Sequence, residues 1–400
     1  MSQSKHLGFC ENRTLFIGDN LPILEGIPSE SVDLIYLDPP FNTGLYWVGK
    51  DTSTAARAEF ADLWRMDKHE MEWFKRLEVS EPGMYRIIQG VWEINGESYA
   101  AYLCYMAPRL LQLHRVLKQT GSIYLHVDPT MSHSLKLIMD AIFGGVNFRN
   151  EVIWCYQSGG ASKKYFPRKH DIILLYGKSA EKATHNIIRV PYKAIIVDSV
   201  KDKFHPDGKM LSDWWEISIL SSVSKERTGF PTQKPQKLLT RIIEASSNAG
   251  DIVLDPFAGS GTTLVAAESL NRRWVGIEAD PKHKRYLETL MERVLGKVPW
   301  IEYGDFRKLT EERTTFSDDI KEKLYAEFPY CKLCGREMEL RDMDLDHIEP
   351  RSKGGKDEDS NAQLLCHSCN VIKSNGTMGQ ALQRLREKGI EIIERPGMIL

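Results

Sequence analysis

A glycine-rich motif that begins with an aspartate, and a glutamate further along the chain, have the residue types needed to hold a nucleoside-like cofactor. The nonapeptide 255–263 (DPFAGSGTT) follows a short apolar stretch and opens a helical pattern. Its glycines allow a tight turn and a close approach of backbone to ligand. No lysine follows Gly261, so a phosphate-binding P-loop is excluded. Glu278 ends the next apolar stretch, where a carboxylate can accept both hydroxyls of an adenosine ribose. The candidate cofactor-binding residues here are Asp255, Phe257, Gly259, Ser260, Gly261, Thr262 and Glu278.

A second motif, DPPF at residues 38–41, also ends an apolar stretch. Its two prolines fix the backbone and remove two N–H donors, so the loop is rich in hydrogen-bond acceptors. The Asp38 carboxylate and the Pro39 carbonyl can together hold both hydrogens of an exocyclic amine. Phe41 offers an aromatic face for stacking. A DPPF turn by itself could simply end a strand, but beside the cofactor motif we interpret Asp38, Pro39, Pro40 and Phe41 as catalytic.

The third group of reactive residues is a pair of C-x-x-C motifs near the C-terminus, formed by Cys331, Cys334, Cys366 and Cys369. Two such pairs are typical of a closed, tetrahedral zinc site made of four thiolates. The chain has seven cysteines in all, and an odd number argues against a framework of disulfides. We therefore expect structural zinc.

The elements that position these motifs alternate between short apolar strands and longer segments with helical spacing. This alternation predicts an α/β fold with a doubly wound, mostly parallel sheet. Helices are predicted at Tyr102–Leu117 and Lys237–Ser246. Strands are predicted at Thr14–Ile17, Val32–Leu37, Ser122–Val127, Ile252–Leu254 and Trp274–Ile277.

Composition narrows the class of protein. Four hundred residues predict two or three domains. No apolar stretch approaches the roughly 20 residues that span a bilayer, and the first residues lack the apolar core of a signal peptide. The net charge is −2, but residues 151–230 hold 13 Lys and Arg against 9 Asp and Glu. Within them, residues 162–170 (SKKYFPRKH, here called the basic loop) mix cations with aromatics, which suits phosphates and bases or, more simply, a solvated surface.

The order of the motifs resembles that of the β-group S-adenosylmethionine-dependent DNA amino-methyltransferases of restriction–modification systems, in which DPP(Y/F) precedes the cofactor motif. The likeness runs from about residue 14 to about residue 293. It includes KQTGSIYLHVDPT and FRNEVIW, which match the family's central core. It implies that Asp19, in LFIGDN, contacts the cofactor adenine. It also implies that Thr232 and Lys234, in TQKP, close over the methionine end of the cofactor.

The resemblance implies a Rossmann-like sheet with the cofactor and the target base on opposite sides of its switch-point crevice. It makes residues 151–230 a target-recognition region for double-stranded DNA, whose base must leave the duplex to reach Asp38. Asp38 and the Pro39 carbonyl would draw the amine towards tetrahedral geometry for in-line methyl transfer. The NTG that follows DPPF favours N6 of adenine over N4 of cytosine. Methylation of a cytosine ring carbon is excluded, because no Pro-Cys pair occurs.

The C-terminal stretch LDHIEPRSKGGKDEDSNAQLLCHSCNVIKS resembles the HNH endonucleases, small zinc-framed ββα-metal domains. The match implies that Asp346 and Asn370 bind catalytic Mg²⁺ or Mn²⁺, that His347 is the general base, and that Asn361 orients His347. Asn370 departs from the His of the family name, although an amide oxygen suits Mg²⁺. The alternative is a zinc module that only binds DNA.

We therefore predict a methyltransferase domain at residues 10–300, a linker at 301–320 and an HNH domain at 321–385, with residues 51–95 as an insertion. The expected protein is bifunctional, cytoplasmic and of bacterial, archaeal or phage origin, without a membrane partner. Whether it forms a homodimer is left open. The alternatives are a DNA-binding regulator without catalysis and a methyltransferase acting on RNA or on a protein glutamine.

Overall fold

A computed structural model describes residues 12–42, 46–48, 59–61, 64–156, 162–192, 205–221, 223–296, 300–303, 319–350, 359–373, 376–390 and 392–395. The chain forms two compact units. The first is built from residues 1–67 and 89–304, and the second from 68–88 and 305–400. Most of the predicted linker lies outside the described residues. Among the helices that are described, none is both long and apolar enough to cross a bilayer.

The first unit is organised around one sheet. In chain order its strands are β1 (Thr14–Ile17), β2 (Val32–Leu37), β3 (Tyr46–Val48), β4 (Glu59–Ala61), β5 (Leu117–Val127), β6 (Phe148–Cys155), β7 (His170–Gly177), β8 (Arg189–Val190), β9 (Lys209–Met210), β10 (Trp214–Glu216), β11 (Ile252–Asp255), β12 (Arg273–Glu278) and β13 (Ile301–Tyr303). In the described residues, nine of these strands form the sheet in the order β10-β6-β7-β5-β2-β11-β12-β1-β13. Strand β7 is antiparallel to both neighbours, and the other pairs are parallel.

The helices of this unit connect the parallel strands. They are α1 (Asn20–Gly26), α4 (Glu97–Val116), α5 (Ser132–Phe143), α6 (Gln236–Ser246), α7 (Thr262–Ser269) and α8 (Lys284–Leu295), while α2 (Lys68–Ser80) and α3 (Pro82–Asn95) intervene after β4. All five predicted strands and both predicted helices are present, which confirms the doubly wound α/β fold. Pairs such as Leu254 with Ile35 place β11 directly beside β2. From that point the sheet order runs outwards in both directions, so ligands should bind beyond the carboxyl ends of β2 and β11.

Residues 151–230 contribute more to the core than an added recognition region would. Strands β6, β7 and β10 from this region extend the central sheet. Trp154, Ile173 and Trp215 are buried in the same apolar cluster as residues of β2 and β11. Much of this region is therefore part of the central sheet.

The second unit contains a ββα arrangement. Its elements are α9 (Ile320–Glu327), β14 (Met343–His347), β15 (Ala362–Cys366), α10 (His367–Lys373) and α11 (Met378–Glu387). Strands β14 and β15 pair antiparallel, with Met343 opposite Cys366 and His347 opposite Ala362. Buried Leu364, Leu382 and Leu385 form its small core together with the cysteines.

Residues 68–88 also belong to the second unit, although in the sequence they interrupt the first unit. The Arg76 guanidinium pairs with Asp342 at 3.0 Å, and Arg336 donates to the Val79 carbonyl at 2.7 Å. The Ser368 hydroxyl donates to the carbonyl of Ser80. Helix α2 is therefore a structural part of the second unit.

Candidate active sites

A cavity of about 820 Å³ opens at the carboxyl ends of β2 and β11 in the first unit. It brings together the residues that the sequence predicts for the cofactor and the amine, except Gly261, which lies under the turn. Those that line it are Asp19, Asp38, Pro39, Pro40, Phe41, Thr232, Lys234, Asp255, Phe257, Gly259, Ser260, Thr262 and Glu278.

The glycine-rich turn is held against the acidic end of β12. Gly261 has φ +77° at the start of α7, and a Cβ there would lie 2.4 Å from the Leu287 side chain, so only glycine fits. The Gly259 N–H donates to Glu278 Oε2 at 2.8 Å. Glu278 Oε1 accepts from the Asp280 N–H at 3.0 Å and lies 2.9 Å from His283 Nδ1. These contacts fix the carboxylate at the rim of the cavity.

Asp255 lies at the floor of the cavity and is almost completely enclosed. It accepts a hydrogen bond from the Phe257 N–H at 3.0 Å. Burial raises the pKa of Asp255 to about 7, and the negative charges of Asp38 and Glu278 act in the same direction. The cavity is therefore an acidic environment that favours a positively charged ligand.

Asp19 is held by a residue that the sequence did not single out. The Arg109 guanidinium, from α4, donates to Asp19 Oδ1 at 2.7 Å and to Asn20 Oδ1 at 2.6 Å. Asn20 in turn donates to the Pro256 carbonyl at 2.8 Å. Arg109 thus ties the loop after β1 to the cofactor turn. In the sequence, the only indication of this role is that Arg109 lies within a largely apolar helix. A buried arginine requires charged or hydrogen-bonding partners.

The Asp38 carboxylate has two different surroundings. Its Oδ2 lies 2.5 Å from the Lys234 ammonium. Its Oδ1 is buried and has no hydrogen-bond partner among the described residues. A buried acceptor without a partner is costly, which makes Oδ1 the natural site for a donor supplied by a ligand.

Phe41 is supported from below by a buried histidine. The rings of Phe41 and His126 stack with centroids 5.8 Å apart. His126 is fully buried, with Nδ1 2.8 Å from the Tyr36 hydroxyl and Nε2 3.1 Å from Asp171 Oδ2. Tyr156 donates to the other Asp171 oxygen. Burial raises the pKa of Asp171, but His126, Lys234 and Tyr156 together lower it below its ordinary value.

The four cysteines of the second unit form a metal-binding cluster, here called the cysteine cluster. All four are buried, and their sulfur atoms lie within 4.8 Å of one another. The Sγ atoms of Cys334 and Cys366 are 3.9 Å apart. Zinc–sulfur bonds of about 2.3 Å in a tetrahedron give sulfur separations close to this value. The cluster therefore fits structural zinc.

The predicted nuclease residues lie on β14 and around it. Asn361 makes two hydrogen bonds with Glu349, which lies two residues after His347. Its Oδ1 accepts from the Glu349 N–H at 2.8 Å, and its Nδ2 donates to the Glu349 carbonyl at 3.1 Å. Asn370 donates from Nδ2 to Asp344 Oδ2 at 3.2 Å. The amide oxygen of Asn370 is then its remaining ligand atom.

Asp346 has two partners that the sequence reasoning missed. Gln363 donates to Asp346 Oδ2 at 2.8 Å, and the Lys373 ammonium lies 2.9 Å from the same oxygen. Lys373 is fully buried and also donates to the His347 carbonyl at 2.7 Å. The helical spacing of Lys373 from Cys369 could have indicated that it faces inwards.

The basic loop connects β6 to β7 and is strongly exposed. Phe166 is 96% and Tyr165 is 67% exposed, and Lys163, Lys164 and Arg168 are exposed as well. Near the end of the loop, the Lys169 carbonyl accepts from the Tyr156 N–H at 2.9 Å, and both Tyr156 and Asp171 line the cavity. The end of the basic loop therefore adjoins residues that line the cavity, and its cations and aromatics are exposed.

Comparison with known proteins gives two family matches. A DNA methylase model, of the N6/N4 type, matches residues 32–289. A model of the HNH endonucleases matches residues 331–376.

Individual relatives agree with the first match. DNA adenine methyltransferase YhdJ of Escherichia coli (strain K12) is 31% identical over 282 residues, covering 68% of this chain and 80% of that protein. Type II methyltransferase M.HpaI of Haemophilus parainfluenzae is 31% identical over 316 residues, covering 78% and 82%. The solved PvuII DNA methyltransferase (cytosine-N4-specific) matches at 16% identity, 71% and 94% coverage, and a TM-score of 0.44.

Proposed function

We propose that this chain, which belongs to the N6/N4 DNA methylase family and carries a C-terminal HNH endonuclease domain, methylates the N6 amine of adenine in double-stranded DNA and also cuts DNA. It is a DNA amino-methyltransferase related to type II restriction–modification methylases. The choice of adenine, the roles of the site residues and the nuclease activity are proposals.

The methyl donor proposed is S-adenosylmethionine, and the first cavity fits it. Its volume of about 820 Å³ lies in the range of cofactor pockets. Glu278 would accept the ribose hydroxyls, Asp19 would contact the adenine, and the turn at Gly259 would allow the backbone to approach. A cationic ligand beside Asp255 would favour the charged form of this carboxyl group, whose pKa burial raises to about 7. When bound, S-adenosylmethionine supplies an electrophilic methyl group on a sulfonium.

The observation that carries the proposal is the buried, unpartnered Oδ1 of Asp38. An exocyclic amine is a poor nucleophile, because its lone pair is delocalised into the ring. Asp38 Oδ1 and the Pro39 carbonyl would each accept one amine hydrogen and thereby localise the lone pair towards the donor. Phe41, supported by His126, would stack on the base after it leaves the duplex.

The preference for adenine is supported by the name of one relative, a DNA adenine methyltransferase. The NTG that suggested adenine from the sequence lies partly outside the described residues, since these end at Asn42 there. N4 of cytosine is the alternative. Sequencing the modified bases in the genome of a host that expresses the gene would identify the base and the recognition site together.

Transfer of tritiated methyl groups to DNA tests the assignment of Asp38. Asp38→Ala should lower the rate by about 10²–10⁴-fold, as expected for the loss of a catalytic polar group. Binding of S-adenosylmethionine should persist, because the adenosine contacts lie elsewhere in the cavity. Lys237→Met, at an exposed position of α6, is a matched control. Full methylation by Asp38→Ala would refute the assignment.

For the second unit we propose DNA cleavage. Zinc in the cysteine cluster would have all four positions filled by thiolates, so it could not activate water. The carboxylate of Asp346 and the amide oxygen of Asn370 suit Mg²⁺ or Mn²⁺, and the orientation of the Asn370 amide towards Asp344 leaves that oxygen available. His347 would take a proton from the attacking water, and Asn361 would hold the loop that follows His347.

The alternative for this unit is a module that binds DNA without cutting it. Incubation of plasmid with Mg²⁺ or Mn²⁺ separates the two functions. His347→Ala should stop cleavage while zinc content and methylation remain unchanged. Intact plasmid after incubation with the wild-type protein would favour the binding-only alternative. Matched methylated and unmethylated plasmids would then show whether methylation changes cutting, as restriction–modification requires.

A further inference from the structure

Lys234 lies on the side of the cavity that the DPPF motif forms. Its ammonium is 2.5 Å from Asp38 Oδ2 and 5.2 Å from the centroid of the Phe41 ring. The lysine side chain is 11% exposed and the Asp38 side chain 16%. The resemblance to the methyltransferases places Lys234 at the methionine end of the cofactor, but both of these contacts are with the DPPF motif.

The charge of Lys234 is placed among carboxylates. Asp38 is its direct partner, and its positive charge helps to lower the pKa of Asp171. Two arginines that line the cavity are directed to other groups: Arg109 pairs with Asp19, and Arg227 donates to the Leu220 carbonyl. Among the described residues, Lys234 is thus the cation that faces the DPPF carboxylate.

Because of this contact, the two oxygens of the Asp38 carboxylate have different surroundings and different roles. The Lys234 ammonium occupies Oδ2, while Oδ1 stays buried and unpartnered. If the lysine were absent, the carboxylate could rotate and would lose the charge that compensates its burial. A donor on one oxygen therefore sets the direction in which the other oxygen points.

We propose that Lys234 is a positioning residue of the methyl-transfer reaction, which holds the Asp38 carboxylate so that Oδ1 meets the target amine. This inference rests on the proposed methyltransferase function. It assigns the lysine of TQKP to the acceptor side of the reaction. Lys234 then controls the rate of the chemical step and has little effect on cofactor affinity.

Substitution by methionine keeps the length of the side chain and removes its charge. Lys234→Met should lower the single-turnover rate of methylation at saturating S-adenosylmethionine by about 10–100-fold, the size of effect produced by a misplaced catalytic group. Its affinity for S-adenosylmethionine in calorimetry should stay within about twofold of wild type, and this binding also shows that the variant is folded. Lys237→Met, on the exposed side of α6, should keep the full rate.

Rescue by a small amine tests the position of the charge. Lys234→Ala leaves space beside Asp38, so added methylammonium or ethylammonium should restore part of the rate in proportion to its concentration. The same amines should not rescue Asp38→Ala, in which the carboxylate itself is missing. If Lys234 acted only in folding or in cofactor binding, these amines would not restore the rate of Lys234→Ala.

The inference is overturned if Lys234→Met weakens S-adenosylmethionine binding tenfold or more while the saturated single-turnover rate is unchanged. That result would place the lysine at the cofactor. It is also overturned if Lys234→Met methylates at the wild-type rate. Absence of methylation by the wild-type protein on any DNA would be a different failure, since it would refute the proposed function itself.

Discussion

Replacing Asp255 by Asn should stabilise the cofactor-free protein by an amount that grows with pH. Burial raises the pKa of Asp255 from 3.8 to about 7. The native state therefore binds this proton more tightly than the unfolded chain does. The contribution of Asp255 to stability is greatest below the unfolded pKa and is lost as the pH rises through the folded pKa.

The size of the effect follows from the shift. About three pKa units correspond to about 4 kcal/mol, and between pH 5 and pH 8 roughly 2–3 kcal/mol of this should be lost. Asn has the same shape and no charge, and its amide oxygen can still accept from the Phe257 N–H. The melting temperatures of variant and wild type should therefore separate by roughly 5–10 °C more at pH 8 than at pH 5.

Scanning calorimetry of the cofactor-free proteins at both pH values measures this separation in the transition of the first unit. Asp213→Asn is a matched control, because Asp213 is exposed and the side chain that donates to it, Asn150, does not titrate. It should give nearly the same difference from wild type at pH 5 and pH 8. If the Asp255→Asn difference were equally independent of pH, Asp255 would titrate like an ordinary surface carboxylate and the account of the cavity floor would be wrong.

Three further predictions concern the cofactor rim, the zinc site and the basic loop. Glu278→Ala should weaken S-adenosylmethionine binding, because the carboxylate that anchors the Gly259 N–H is also the proposed ribose ligand; unchanged affinity in calorimetry would contradict this. Metal analysis should find one zinc per chain, and a chelator should unfold the second unit while the first still binds S-adenosylmethionine, since a core this small depends on its metal. Protein purified without chelator and free of zinc would refute the metal assignment. Charge removal by K163A/K164A/R168A should weaken DNA binding and reduce its salt dependence, and equal salt slopes for variant and wild type would leave the loop as a solvated surface.

The first site could be predicted largely from the sequence because of how parallel sheets bring residues together. DPPF follows β2, DPFAGSGTT begins at the last residue of β11, and Glu278 ends β12. The carboxyl ends of adjacent parallel strands meet at one edge, so motifs far apart in sequence converge once the strand order is known. Short sequence patterns were sufficient to identify the site, since each motif contains the residue types that its turn requires.

The supporting residues could not be predicted in this way. His126 is a single polar residue in an apolar stretch, Lys373 lies in a mixed stretch, and their partners are separated from them by 90 and 26 residues. Periodicity indicates only that such a side chain faces inwards. Its role depends on which acceptor the tertiary fold places opposite it, and a single sequence carries no signal for that pairing.

The insertion after DPPF illustrates the same limit at the level of domains. Residues 51–95 look like an elaboration of the methyltransferase, because they interrupt it in the sequence. Yet Phe74 and Leu77 of α2 are buried, and residues 68–88 belong to the unit that contains the cysteine cluster. The Arg76–Asp342 pair and the Arg336 hydrogen bond to Val79 hold them there.

Because α2 belongs to the second unit, removal of the metal with a chelator should also affect residues 68–88. If α2 is part of the second unit, unfolding of that unit on loss of the metal also removes Asp342 and Arg336, the partners of Arg76 and of the Val79 carbonyl. Limited proteolysis after chelation should then cut within residues 68–88 as well as after residue 319, although the two regions are far apart in sequence. Protection of residues 68–88 in the chelated protein would show that α2 is stabilised independently of the zinc unit. Cleavage in both regions would show that residues 68–88, which interrupt the first unit in the sequence, depend on the metal for their structure.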